Sequence, residues 1–433
     1  MTPSAPLIDK PRVHRVLLGE WQKAVDAADF ERAIDIDNFH YNELVKKREE
    51  VSYWDRWQAD TLASRRRLTS SISARFPSLD MPDTEDHRCL IVYHNCSGLA
   101  HETQFARNVA WLRAHNVPVN IEVVYLFGPD RDLHQGAELF GVPPDSVHYL
   151  QSHSHLEAGK RLATLSKERS VHSIIYPSLF FLAFWMSLFV PHPNQKFVQM
   201  KYYPIHAGRI RWWFGGYRGP TSHYRIKSCD FEQLPMLDPL LSKSSQLGQQ
   251  RKIYRGAVRV GSISRPEKIS DHHYNHLILD LLVRHRAVQY LYTGREESLS
   301  LIPDATRLHE QSVWLGWVDP VSAIQQFDIY LEPFPWGGGE MSLLALEAAR
   351  PYLTLSSNEN VRFGIYSLIK FIADQGDPIL QFSFCRSVLQ LRQRLEQLVT
   401  DCDLRQHLGQ AWRRAVVSYH PPDIDGWQRL FNH

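Results

Sequence analysis

Residues 328–357 read Asp-Ile-Tyr-Leu-Glu-Pro-Phe-Pro-Trp-Gly-Gly-Gly-Glu-Met-Ser-Leu-Leu-Ala-Leu-Glu-Ala-Ala-Arg-Pro-Tyr-Leu-Thr-Leu-Ser-Ser, an order compatible with few folds. A short apolar strand stops at three glycines, a helix starts at about Glu340, and a second apolar strand follows. Gly337, Gly338 and Gly339 let the backbone approach a guest closely. The first amides of the helix, at Glu340, Met341 and Ser342, present the positive end of its dipole. The expected guest is a phosphate. The glycines are consecutive and no Gly-Lys-Ser/Thr follows, which excludes the dinucleotide fingerprint and the phosphate-binding P-loop. A bare glycine triplet is more often a plain loop; its position between strand and helix reverses that preference.

The chain has 433 residues, 43% of them hydrophobic, enough for two or three domains with buried cores. Its 49 basic and 47 acidic residues leave a net charge of +2, so no nucleic-acid footprint is expected. The N-terminus lacks a basic-then-apolar signal, and the longest apolar run, residues 179–190, is too short to span a membrane; a cytoplasmic protein is expected. Cys89, Cys96, Cys229, Cys385 and Cys402 are scattered and odd in number. Reduced thiols fit them better than a disulfide framework or a zinc site.

Apolar residues at three- and four-residue spacing predict helices over 13–28, 30–50 and 53–76. From Arg88 strands and helices alternate: strands at 89–93, 119–127, 147–150 and 173–176, helices at 102–115 and 155–167. The pattern restarts after Lys252, with strands at 258–262, 288–293 and 313–315 and helices at 276–284 and 320–326 before the glycine motif. Such alternation predicts parallel sheets covered by helices on both faces. The expected fold is α/β, two doubly wound Rossmann-like domains with a cleft between them and an all-α domain in front. Boundaries are placed at 1–83 for the helices, 84–235 and 236–400 for the two sheets, and 401–433 for C-terminal helices that pack back on the first. Residues 218–251, rich in Ser, Gln and Pro, are expected to include the linker.

In open α/β sheets ligands bind beyond the carboxyl ends of strands, and four such ends carry chemistry. After the strand at 89–93, His101 opens a helix, where a base or acceptor-binding role and a capping turn are equal readings. After 258–262 come Ser264, Arg265 and Lys268, two cations suited to a diphosphate, although a solvated loop explains them as well. Thr293 and Gly294 end the next strand and are also open to a solvation reading. The fourth end is the glycine motif, whose helix carries Glu347 in an apolar setting; a sugar hydroxyl pair or a protein salt bridge would satisfy it.

Together these segments resemble the GT-B glycosyltransferases, in particular the group joining O-GlcNAc transferases with bacterial cytoplasmic adhesin N-glucosyltransferases. Ile175-Tyr176-Pro177-Ser178 followed by Pro193-Asn194-Gln195 is similar to the Tyr-Pro-Ser and Pro-Ile-Gln stretches of the latter. The run from Arg265 to Asp271 resembles their Lys-Ile-Asp-Pro type segment, and that resemblance assigns the diphosphate-binding lysine to Lys268. Leu315-Gly316-Trp317, the glycine motif and Arg350-Pro351 complete the series. The resemblance spans roughly residues 88–365 and departs in three places. Glu340 and Met341 replace paired threonines; Lys201-Tyr202-Tyr203-Pro204-Ile205-His206 replaces Gly-His-Pro-Ala-Thr-Thr; Leu344 stands where ribose contacts are expected, so Glu347 is read as the substitute.

The resemblance implies inverting transfer of a glucose- or N-acetylglucosamine-type hexose from a nucleotide sugar, UDP-glucose or UDP-GlcNAc, to a protein or glycan. Neither a metal nor a resident cofactor is needed: Lys268, the helix dipole and Arg265 neutralise the leaving diphosphate, His101 or His206 serves the acceptor, and Lys201 assists departure. Rival readings are a retaining GT-B enzyme acting on lipid or polysaccharide, a nucleotide-sugar epimerase, and a degenerate partner subunit. In each case the N-terminal helices would serve as an oligomer contact or acceptor platform.

Overall fold

The computed structural model describes residues 9–46, 51–78, 87–96, 100–128, 133–177, 180–199, 208–216, 223–226, 229–237, 256–269, 271–295, 311–334, 337–355, 365–421 and 424–432. Two compact units make up the chain: Met1–Gly216, Thr221–Leu237 and Pro422–His433 form the first, Tyr217–Pro220 and Asp238–Pro421 the second.

The first unit opens with α1 (Lys10–Asp26), α2 (Phe30–His40), a wide helical turn at Tyr41–Lys46 and α3 (Val51–Arg75). Asp9 and Asp29 start α1 and α2 by accepting the amides of Arg12 and Arg32, which satisfies donors that a helix start leaves unpaired. These helices were expected as a domain of their own over 1–83, but they belong to the compact unit built on the first sheet. The reason is polar as well as apolar. Asp37 of α2 is fully buried and accepts the indole N–H of Trp57 at 2.8 Å, the guanidinium of Arg65 at 2.5 Å, and the indole N–H of Trp185, on the sheet-covering helix α7 (Phe180–Phe189), at 2.8 Å. Glu31, also from α2, accepts the Leu156 and His155 amides at the start of α6 (His155–Glu168).

The sheet of this unit contains β1 (Cys89–Tyr93), β2 (Ile121–Tyr125), β3 (Val147–Tyr149), β4 (Ser173–Tyr176), β5 (Gln195–Gln199), β6 (Trp212–Gly216), β7 (His223–Ile226) and β8 (Cys229–Leu234). Their order is β3-β2-β1-β4-β5-β6-β8-β7, parallel throughout except for β7 against β8. The helices α4 (Ala100–Ala114) and α5 (Leu133–Phe140) complete the covering layers with α6 and α7. Strands β7 and β8 fall inside the stretch expected to include the linker and within the 84–235 bounds expected for the first sheet, though neither was recognised as a strand.

The second unit is a parallel sheet of β9 (Val258–Ser262), β10 (Val288–Tyr292), β11 (Ser312–Trp314), β12 (Ile329–Leu331), β13 (Tyr352–Leu355) and β14 (Phe384–Cys385). Its order is β11-β10-β9-β12-β13-β14, with every pair parallel. Around it lie α8 (His272–Arg284), α9 (Pro320–Ile324), α10 (Glu340–Glu347), α11 (Ile365–Gln375), α12 (Val388–Thr400) and α13 (Cys402–Val417). The return to the first unit begins later than the expected residue 401: α13 stays with the second sheet, and the segment from Pro422, carrying α14 (Asp425–Asn432), belongs to the first. No helix among the described residues is long and apolar enough to cross a membrane.

Candidate nucleotide site

Strands β9 and β12 are hydrogen-bonded neighbours, which brings together two loops about seventy residues apart in sequence. The loop after β9 tightens into a single helical turn at Pro266–Ile269 and projects Lys268. The loop after β12 is the glycine turn. The Lys268 ammonium donates to the Gly337 carbonyl at 2.8 Å, so a cation stands against the turn that starts α10. Gly339 is the residue before that helix and has φ +65°, a backbone that a side chain rarely adopts. Gly338 is confined instead by space, since a Cβ there would lie 2.6 Å from the Tyr330 hydroxyl and 2.8 Å from Ser342 Oγ.

Beneath the turn lies Glu332, the first residue beyond β12 and 5% exposed. Its carboxylate accepts the Gly338 amide at 2.7 Å and the Ser342 hydroxyl at 2.5 Å. Burial pushes this carboxyl above the ordinary range, against the opposing pull of Ser342, Gly338 and the Lys268 charge. Ser342 was read as a phosphate donor; its hydroxyl is fully buried and serves Glu332. Glu332 was not singled out from the sequence, although an acidic residue ending an apolar strand just before Pro333 was the available signal.

Glu340 and Met341 occupy the first turn of α10, with Glu340 7% exposed. Glu347 is 2% exposed in the last turn, seven residues and about 10 Å along the axis from Glu340. Leu344 between them is fully buried. Along the sheet, Thr293 Oγ1 accepts the Ser264 amide at 2.9 Å and donates to the Ser264 carbonyl at 2.9 Å. These two side-by-side strand ends are thereby tied to one another. Gly294 has φ +127°, and its amide meets the Gly316 carbonyl at 3.0 Å. Arg265 is exposed. Arg295 lies over the ring of Trp317 at 5.5 Å, and Trp317, 70% exposed, presents a flat aromatic face beside the β11 end.

The structure thus assembles Ser264, Arg265, Lys268, Thr293, Gly294, Gly337, Gly338, Gly339, Glu340, Met341 and Ser342 at the carboxyl ends of one sheet, with Glu347 two turns down the same helix. Lys201 and His206 lie outside the described residues. So does the side chain of His101, whose backbone is second in α4. In the first unit, a group the sequence reading did not single out collects at the carboxyl ends of β1 to β3. His94 packs on Phe127 at 4.6 Å, Phe127 on His155 at 5.0 Å, and the His155 ring bonds Glu31 at 3.2 Å. Burial lowers the basicity of His94, and the neighbouring His155 adds to that against a bond from Asn95.

No protein-family model matches the chain, and no curated protein does either. Solved structures do match in fold. An O-GlcNAc transferase mutant from Thermobaculum terrenum superposes with a TM-score of 0.58 at 14% identity, over 96% of this chain and 82% of that one. A glycosyltransferase from Rickettsia africae gives 0.52 at 12%, over 80% and 97%. Alr3699/HepE from Anabaena, solved with UDP and glucose, gives 0.53 at 12%, over 79% and 97%. The two-sheet architecture is that of the GT-B glycosyltransferases.

Proposed function

We propose that the chain is a glycosyltransferase that moves a hexose of glucose or N-acetylglucosamine type from a UDP-sugar to a protein or other acceptor, with inversion. The observation that carries the reading is the 2.8 Å contact between Lys268 and the Gly337 carbonyl. It fixes a cation at a helix start that already favours anions. The Anabaena protein that shares this fold was crystallised with UDP and glucose, and the sugar nucleotide is taken here by analogy with it. In this reading the diphosphate lies against the α10 start, Lys268 offsets the charge that develops on the leaving group without a metal, and the exposed face of Trp317 takes the base. Glu347 meets the ribose hydroxyls. The acceptor is handled by the first unit.

A single test separates the parts. UDP-glucose and UDP-GlcNAc should raise the melting temperature of the full chain, since a ligand that binds only the folded state stabilises it. Lys268→Ala should weaken that binding about tenfold to hundredfold, the scale of one charge-assisted hydrogen bond. Equal affinity in the variant would remove Lys268 from the site. One observation favours a second reading, a sugar-nucleotide-binding partner subunit: the Gly338 amide and the Ser342 hydroxyl are already engaged by Glu332. Stabilisation by UDP-sugars without hydrolysis or transfer to any acceptor would select it.

A further inference from the structure

We propose that Glu332 takes up a proton when a sugar nucleotide binds, so that donor affinity is set by pH; this rests on the nucleotide reading above. Glu332 is buried directly behind the turn a diphosphate would face, with its two oxygens on Gly338 N–H and Ser342 O–H. The groups facing it are the Lys268 ammonium from the turn after β9, the Tyr330 hydroxyl from its own strand, the Tyr352 hydroxyl from β13, and Ser342 from α10. Glu340 adds a second carboxylate to the same helix start. Lys268 is therefore shared. With the site empty its charge helps to keep Glu332 ionised; with a diphosphate present, the same ammonium is drawn to the phosphates and an ionised Glu332 repels them. Both changes favour the neutral carboxylic acid, whose O–H is then available to Ser342 Oγ while its carbonyl oxygen still accepts Gly338 N–H. A ligand that prefers the protonated form of its site must take up a proton as it binds. Burial of Glu332 already raises its titration above the ordinary carboxylate range, the same direction in which a bound diphosphate would push it.

The experiment is titration calorimetry of the full chain with UDP-glucose, whose pyrophosphate diester keeps a fixed charge between about pH 5 and 8. Two buffers of different ionisation enthalpy are compared at several pH values in that window, where buried glutamates titrate. The expected result is a buffer-dependent enthalpy showing uptake of up to one proton, and a Kd that weakens about tenfold as the pH rises, the change that one unit of coupled titration carries. Glu332→Gln retains an acceptor for Gly338 and offers its amide to the Ser342 oxygen, so it should bind UDP-glucose with neither proton uptake nor pH dependence. Binding to the wild type with no buffer dependence overturns the coupling, however the variant behaves. Unchanged uptake in Glu332→Gln overturns the assignment to this residue. Absence of UDP-glucose binding at every pH overturns the nucleotide reading and the coupling with it.

Discussion

Asp37 organises the N-terminal helices through a single carboxylate that serves two indoles and a guanidinium. Arg65, its partner, is 2% exposed, so removal of the acid leaves a buried charge with its main counter-ion gone. Such a loss costs about 3–5 kcal/mol. An exposed pair such as Lys370 with Asp374 contributes at most about 1 kcal/mol. Asp37→Ala should therefore lower the urea midpoint far more than Asp374→Ala. Equal midpoints for the two variants would show that the indoles and Arg65 find other partners. Lys196 gives the opposite case, a buried cation that the fold tolerates at a cost. Its ammonium donates to the Leu430 carbonyl at 2.6 Å, yet burial lowers its proton affinity to about 8, against help from Cys89 and Glu232. The unfolded chain, with an ordinary lysine near 10.4, binds more protons between those values. Stability should then rise with pH across that window, by up to about 1.4 kcal/mol for each unit. The comparison is with Lys196→Met, which should lack this component; parallel pH curves for the two proteins would contradict it.

The element that shows what the sequence did and did not reveal is β5. Residues 195–199 read Gln-Lys-Phe-Val-Gln, with three polar side chains in five, and were not recognised as a strand. In the fold all five are buried. Gln195 donates to the carbonyls of Ser187, Val190 and His192, and Lys196 ends on α14. Polar residues satisfied by distant partners are indistinguishable from surface residues in a linear reading. The apolar run Cys89–Tyr93 has no such ambiguity, and it was recognised with its bounds, as was Val258–Ser262, whose Val-Arg-Val alternates in the manner of a strand. The glycine turn and its strand-to-helix setting were likewise legible because local backbone chemistry dictates them. The partner of Lys268 was not, because it depends on the pairing of β9 with β12; the role of Glu332 depends on how the turn folds back over the strand end, which brings Gly338 and Ser342 onto its carboxylate. At the same scale, α14 is held by close approach: a Cβ on Gly426 would lie 2.3 Å from the Gln233 carbonyl oxygen. Gly426→Ala must push the helix off β8, at about 1–3 kcal/mol for an overpacked contact. Limited proteolysis should then cut the C-terminal segment faster than in the wild type. An unchanged cleavage rate would mean that α14 shifts without loosening.

At the scale of the whole molecule, the chain leaves the first unit at Leu237, builds the second, and comes back at Pro422. The returning segment is structural for the first unit. Trp427, Leu430 and Phe431 are each at most 3% exposed and belong to the same apolar core as β1, β2 and α4. The Trp427 indole donates to the Pro235 carbonyl at 2.6 Å. Burial of three such side chains contributes about 5–9 kcal/mol as an upper estimate, which is comparable with the entire stability of a typical domain. Deletion of residues 422–433 should therefore unfold the first unit and leave the second intact. Scanning calorimetry distinguishes this from general destabilisation, because the proposed ligand supplies a marker for one unit only. In the full chain, UDP-glucose should shift the transition that contains β9 and β12. In the truncated chain that transition should persist with the same ligand-induced shift, while the heat absorbed by the first unit disappears. Loss of both transitions would mean that the second unit depends on the first for its own stability. Retention of both would mean that the first sheet closes its core without α14.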